Sequence, residues 1–242
     1  MTAPELAIDT ASIVIKGTFE PNEFSPKELV AQGLIEAKNL LEANQRFSTQ
    51  DISILEIPTM RFAISRDTIQ MTAQLAEAFE PMRDLAVGIL RLSSSTAVSV
   101  LGMNRDVHFA TSSVDSWHTV GDTVVPKDLW SGVLDVVGMA SVTLKAARND
   151  TNGGYRQITV QPSALVPQGV FVSHNDHYTL EDLDKPPGTR EQLDAETTRQ
   201  AQASSEKVNK AIAILNGEWE NSMKRSSTVI ERIAQMGSLW AA

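Results

Sequence analysis

The feature that most constrains the fold lies near the C-terminal end. At alternating spacings of four and three residues fall Val208, Ile212, Leu215, Trp219, Ser222, Ser226, Val229, Ile233, Met236 and Trp240, eight of the ten apolar. This repeat draws one stripe along a helix, the a/d seam by which a helix packs on another helix. Ser222 and Ser226 interrupt the seam, and Gly217 and Gly237 weaken the helix that carries it. As one helix, residues 189–240 would run about 75–80 Å at ~1.5 Å per residue, against a diameter of roughly 40 Å for a compact domain of this size. The helix is therefore expected either to break near Gly217 and fold back on its own sheet, or to project and meet a partner. In the second case Val208, Ile212, Leu215, Trp219, Val229, Ile233, Met236 and Trp240 form an interaction surface.

Upstream, EDLDKPPGTR at 181–190 carries paired prolines and reads as a connection. The expected organisation is an α+β domain over 1–183, a linker over 184–190 and a helical segment over 191–242. A chain cut after about residue 188 is expected to stay folded.

In the first part, SIVIKGTF at 12–19 alternates and is β-branched, hence a strand. Ser25-Pro26-Lys27-Glu28 starts a helix, with a capping serine and a proline preset at the first position. Leu29, Leu34, Ala37, Leu40 and Leu41 extend its stripe to about residue 43. ISILEI at 52–57 is a second strand. Residues 61–72 are one strand or a hairpin about Arg66-Asp67, and Pro81 opens another helix that the serines at 93–95 end.

The second part has a similar order. A strand over 98–110 precedes a polar helical region, and Pro126-Lys127-Asp128-Leu129-Trp130 starts a helix. Strands at 141–148 and 155–161 join through the hairpin signal Asn152-Gly153-Gly154, and GVFVSHNDHY supplies the last. Each part reads strand, helix, strand, strand, and PKEL at 26–29 matches PKDL at 126–129. The pattern allows an internal duplication; a chance match of four residues is the alternative. The fold class expected is α+β: a mixed or antiparallel sheet with helices on one face, plus the C-terminal heptad-patterned helix.

Charge and cysteine content exclude some functions. The net charge of −9 rests on residues 1–188, since residues 189–242 balance seven acids with seven bases. An acidic globular part repels phosphate backbones, which disfavours nucleic acid as a partner. Without cysteine there is no disulfide framework, thiolate nucleophile or cysteine-ligated metal. The start MTAPELAIDTASIVIKG lacks the basic and apolar regions of a signal peptide. No stretch approaches the roughly 18–20 apolar residues that span a bilayer. A cytoplasmic protein without membrane partner is expected.

Two polar clusters are candidates for chemistry. Asn104, Asp106 and His108 share one face of a regular strand, and Met103, Arg105, Val107 and Phe109 share the other. In His174-Asn175-Asp176-His177, His174 and Asp176 share a face, so the two histidines do not ligate one metal together. Asn104, Asp106, His108, His174 and Asp176 are thus the candidate polar site for a small-molecule binder or enzyme. A solvated strand face and a strand end entering a loop are the plainer readings. His118 beside Trp117 reads as packing. No phosphate-loop, dinucleotide, metalloprotease, nucleophile-elbow or calcium-loop motif occurs, and no metal or cofactor is expected.

Several segments together resemble a group of uncharacterised bacterial proteins. They are SIVIKGTFEPNEFSP with AQGLI, FAISRDTIQ, FEPMRDLAVGILR, LGMNRDVHF, DSWHTVGD with VPKDLW, and GVFVSHNDHYTL. The resemblance covers roughly residues 12–180. It implies a bacterial origin and an accessory component of a stress or defence module, and it supplies no catalytic residue. The reading with a physical signal in the residues is a non-enzymatic interaction or assembly protein, joined to itself or to another protein by its C-terminal helix.

Overall fold

Alternating β-branched segments pair into one antiparallel sheet, and the helices between them cover a single face. The computed structural model describes residues 4–93, 96–180 and 193–237, and side chains within the last span from residue 204. The first half comprises β1 (Ile8–Gly17), α1 (Pro26–Ala31), α2 (Ala37–Leu41), β2 (Gln45–Ser48), β3 (Ile52–Ile57), β4 (Met60–Ser65), β5 (Thr68–Ala73) and α3 (Phe79–Leu92). The second comprises β6 (Val98–Ala110), α4 (Val114–Val124), β7 (Val142–Ala147), β8 (Gly154–Pro162), β9 (Gly169–Thr179) and α5 (Leu193–Met236). The sheet has nine strands in the order β2-β3-β4-β5-β1-β6-β9-β8-β7. The first strand of each half lies at the centre, and the others count backwards to the two edges. The expected linker and Trp240 lie outside the described residues.

Most local signals act as the residues suggest. Ser25 caps α1 by accepting from the Glu28 amide at 3.3 Å. Arg66-Asp67 turns a hairpin between β4 and β5. Gly153 and Gly154, at φ of 50° and 106°, turn the one between β7 and β8. Two helices differ from expectation, each because of a glycine. Gly33 at φ 69° ends α1, its amide bonding to Val30 O and that of Leu34 to Leu29 O, so the stripe to residue 43 splits into α1 and α2. After Pro126 only one 3-10 turn forms, Asp128–Trp130, because Gly132 turns the chain at φ 81°. The short edge strand β2 has no expectation to match it.

α5 corrects the reading of the seam. It runs unbroken through Gly217, which lies on the exposed side with no neighbour within 4 Å of a would-be Cβ. Its buried face is formed by Val208, Ala211, Leu215, Trp219, Ser222, Ser226, Ile230, Ile233 and Gly237, one position per turn in eight steps over 29 residues, with Ile214 buried beside Leu215. That mean step of 3.6 is the pitch of a straight helix, not the 3.5 of a supercoiled seam. Ile212, Val229 and Met236 sit at its flank, partly buried. The stripe packs on its own chain. Val208 to Trp219 join a core with β1, β4, β5 and α3, and Ile230 and Ile233 join a second core with β6, β9 and α4. The packed part of the helix fits the sheet: nine strands ~4.8 Å apart are about 38 Å across, close to the roughly 44 Å of helix from Val208 to Gly237, and the turns of α5 before Val208 run beyond that stretch.

Two outcomes follow. Trp219→Ala, at a position 2% exposed, should cost about 3–5 kcal/mol in denaturant unfolding with the native mass unchanged in light scattering. A chain ending after residue 188 should aggregate, because it uncovers the apolar face of the sheet.

Candidate functional site

Strand alternation decides which candidate residues can meet. On β6, Met103, Arg105, Val107 and Phe109 point to the helices; on β9, Val172, His174, Asp176 and Tyr178 do the same. Asn104, Asp106 and His108 lie on the opposite, uncovered face. There Asn104 donates to Ser12 Oγ at 3.1 Å, and His108 Nδ1 lies 2.8 Å from Ser163 Oγ with its ring 4.7 Å from that of Phe171. The five candidate residues therefore do not form one site: the thickness of the sheet separates Asn104, Asp106 and His108 from His174 and Asp176.

What gathers around Asp176 is a closed charge network. Its carboxylate is 0% exposed and accepts from three guanidinium groups: Arg148 and Arg156 at 2.9 Å on one oxygen, Arg225 of α5 at 2.8 Å on the other. Arg148, itself buried, also donates to both oxygens of Asp150 and lies 3.8 Å over the Tyr178 ring. Arg156 reaches Asp150 and Arg225 reaches Glu218, each at 3.2 Å. Three cations thus face three carboxylates. Beside them Arg105 grips both oxygens of Asp9 at 2.8 and 2.9 Å and donates to the Ser226 and Ser227 hydroxyls. The two serines that interrupt the apolar seam lie here, between the two cores, where Ser226 meets Arg105 and Ser222 is fully buried.

These surroundings set the ionisation states. Burial alone would raise the Asp176 carboxyl, but the hydrogen bond from Arg225 and the surrounding positive charge hold it below the usual carboxylate range. Burial pushes the His174 imidazole below its ordinary value; Asp176 opposes this, and Arg225, Arg156 and Arg105 reinforce it. Burial pushes the Tyr178 phenol up to about 12. The carboxylate is saturated by arginines and the phenol is held protonated, which leaves the neutral His174 imidazole, 2% exposed beneath α5, as the free base of the network. The network's evident work is to fix α5 on β8 and β9. Among the described residues no group of three or more histidines, aspartates or glutamates is placed to hold a metal ion, and no helix is long and apolar enough to cross a membrane.

The surface that does stand open is apolar. On either side of the turn at Gly132, the segment between α4 and β7 leaves Leu129, Trp130, Val133, Leu134 and Val136 exposed, from 44% for Trp130 to 93% for Val136. Beneath it runs a cleft of about 300 Å³ lined by Trp117, His118, Val136 and Met139. Met139 and Ile158 pack on the second core, and Ile158 stands opposite Leu144 of β7, which is 63% exposed on the helix side. The first half is finished differently. Leu55 of β3 and Phe62 of β4, in the corresponding strands, are buried within the first core with Leu29 of α1. The sequence reading starts a helix at Pro126-Lys127-Asp128-Leu129-Trp130 and so missed this surface. The signal was Gly132, six residues after that start.

Comparison with family models finds no match, and none of the curated proteins compared matches the chain.

Removing the Asp176 charge should leave three arginines, two of them partly exposed, facing only Asp150 and Glu218. Asp176→Ala should cost about 3–5 kcal/mol in denaturant unfolding. The sign of the pH effect follows from His174. Its folded value lies below its unfolded value of about 6.5, so its contribution is complete above that pH and is lost as the pH falls toward the folded value. Melting temperature should therefore drop between about pH 7 and 5, and His174→Gln should flatten that drop. The depressed Asp176 acts in a separate window, below its unfolded value of about 3.9.

Proposed function

We propose that this chain is a non-enzymatic interaction module whose contact surface is the apolar segment 129–136 together with the adjoining edge strand β7. One observation carries the reading: five large apolar side chains exposed within eight residues, beside a strand whose residues from Thr143 to Ala147 are all exposed. Isolated exposed apolar residues need no explanation, but a contiguous patch beyond roughly 300–600 Å² marks a surface meant to be covered. The assembly role first assigned to the C-terminal helix thus moves to another element, since the apolar stripe of α5 is occupied within its own chain.

Two further readings belong to the same proposal. The mirrored strand order about the β1–β6 pair supports a duplicated ancestor, as does the recurrence of PKEL and PKDL between the central strand and the outer strands of each half. A reducing, cytoplasmic setting is in keeping with the absence of cysteine. The small-molecule alternative loses its basis in Asn104, Asp106, His108, His174 and Asp176 as one constellation.

Leu134→Asp tests the module. A charge in a covered apolar contact costs several kcal/mol, whereas at a surface that stays exposed the change should be worth about 0.5 kcal/mol or less. The full-length chain should associate with itself or with a host protein, by light scattering and by capture. Leu134→Asp should abolish that association at an unchanged melting temperature. A wild-type chain that stays monomeric at high concentration and captures the same proteins as the variant would overturn the proposal.

A further inference from the structure

Resting on that reading, the geometry points to a second copy of this chain as the partner, with β7 pairing antiparallel to β7 across a two-fold axis at Leu144. Among the described residues β7 pairs only with β8, so its other edge offers unpaired amides and carbonyls. Edge strands are commonly guarded by a lysine. Lys145 does not serve here, because its ammonium lies 3.7 Å over the ring of Tyr155 in the neighbouring strand, back toward its own sheet. The opposite edge is better protected: β2 is four residues long and contains Arg46, which is engaged with the Leu40 carbonyl.

The register follows from three constraints. In an antiparallel pair, residues directly opposite share a face, so a two-fold that keeps the helix faces together passes through a residue and not between two. An axis at Lys145 would put two like-charged residues directly across from each other and leave Val142 beyond the paired stretch. An axis at Thr143 would oppose Leu144 to Val142 but leave Ala146 and Ala147 beyond the paired stretch. The axis at Leu144 sets Leu144 on Leu144, Val142 on Ala146 and Thr143 on Lys145, using the strand from Val142 to Ala146 without a like-charge pair. It also brings both 129–136 segments to the helix side of the new seam. Six large apolar side chains from each copy represent on the order of 1,000 Å² of apolar surface, the scale that a specific dimer requires. The product is one continuous sheet with closed two-fold symmetry.

The absence of cysteine makes the test clean. Leu144→Cys, at an exposed position, should give a disulfide-linked dimer under mild oxidation, since opposed Cα atoms lie within disulfide reach. Val142→Cys alone and Ala146→Cys alone should give none, because symmetry copies of each lie about 13 Å apart along the strand. A mixture of the two should cross-link. Failure of Leu144→Cys to cross-link, while the full-length chain still associates or captures a partner in a Leu134-dependent manner, would overturn self-pairing and leave the interaction reading standing. Cross-linking of Leu144→Cys to Ser48→Cys, which lies on the helix side of β2, would overturn it in favour of an open head-to-tail array of β2 on β7. A chain with no association of any kind would overturn both.

Discussion

The structure depends on covering one face of a nine-stranded sheet. Such a face presents apolar side chains from every strand but the edge strand β2, and no short helix spans it. α3 and the α1–α2 pair serve the first half, α4 serves part of the second, and α5 lies across the middle with residues in both cores. Its buried positions repeat every 3.6 residues because it is a straight rod on a slab. A supercoiled partner helix would have selected 3.5. The positions of β6 and β9, and everything that faces α5 from them, follow from that contact.

In the middle of the contact the apolar stripe gives way to charge. Ser222, Arg225 and Ser226 on α5 meet Asp176, His174 and Arg105 on the sheet, with Arg148 and Arg156 arriving from the β7–β8 hairpin and β8. Buried ion pairs contribute little net stability compared with apolar packing, since desolvation opposes attraction. They do punish misalignment, because a helix displaced by one turn would leave Asp176 facing fewer cations. The network therefore acts as a register device for α5, in keeping with its equal count of cations and carboxylates and with the depressed titration of its central carboxylate.

Much of the fold was legible in the residues. Alternation located eight of the nine strands, counting the β4–β5 hairpin as one of two stated alternatives, and Ser25 and Asn152-Gly153-Gly154 acted as their local chemistry dictates. β2 was not legible because Gln45 to Ser48 is exposed throughout and carries no buried pattern. The α5 stripe was visible, but steps of 3.5 and 3.6 diverge too slowly to separate over four heptads when flanking positions are also apolar. The candidate site was legible in halves. Alternation paired His174 with Asp176 and set Asn104, Asp106 and His108 together, yet only the strand register shows the two sets on opposite faces. Arg148, Arg156 and Arg225 come from three separate stretches, and nothing in their spacing announces a common carboxylate. The apolar surface was hidden because residues 126–137 carry a helical spacing that Gly132 prevents from forming.

The two halves share an order of strands and differ in how they finish. β3 and β4 are covered, whereas β7 and the segment before it leave apolar surface open. α5 is satisfied within its own chain and the β7 edge is not, a difference that amide hydrogen exchange across a range of protein concentrations reads out residue by residue. The expected result is that amides from Val208 to Ile233 exchange slowly at every concentration. Those of β7 between Val142 and Ala147 that point away from β8 should be protected when concentrated and exposed on dilution. Protection of α5 that is lost on dilution, with β7 indifferent to concentration, would contradict the account.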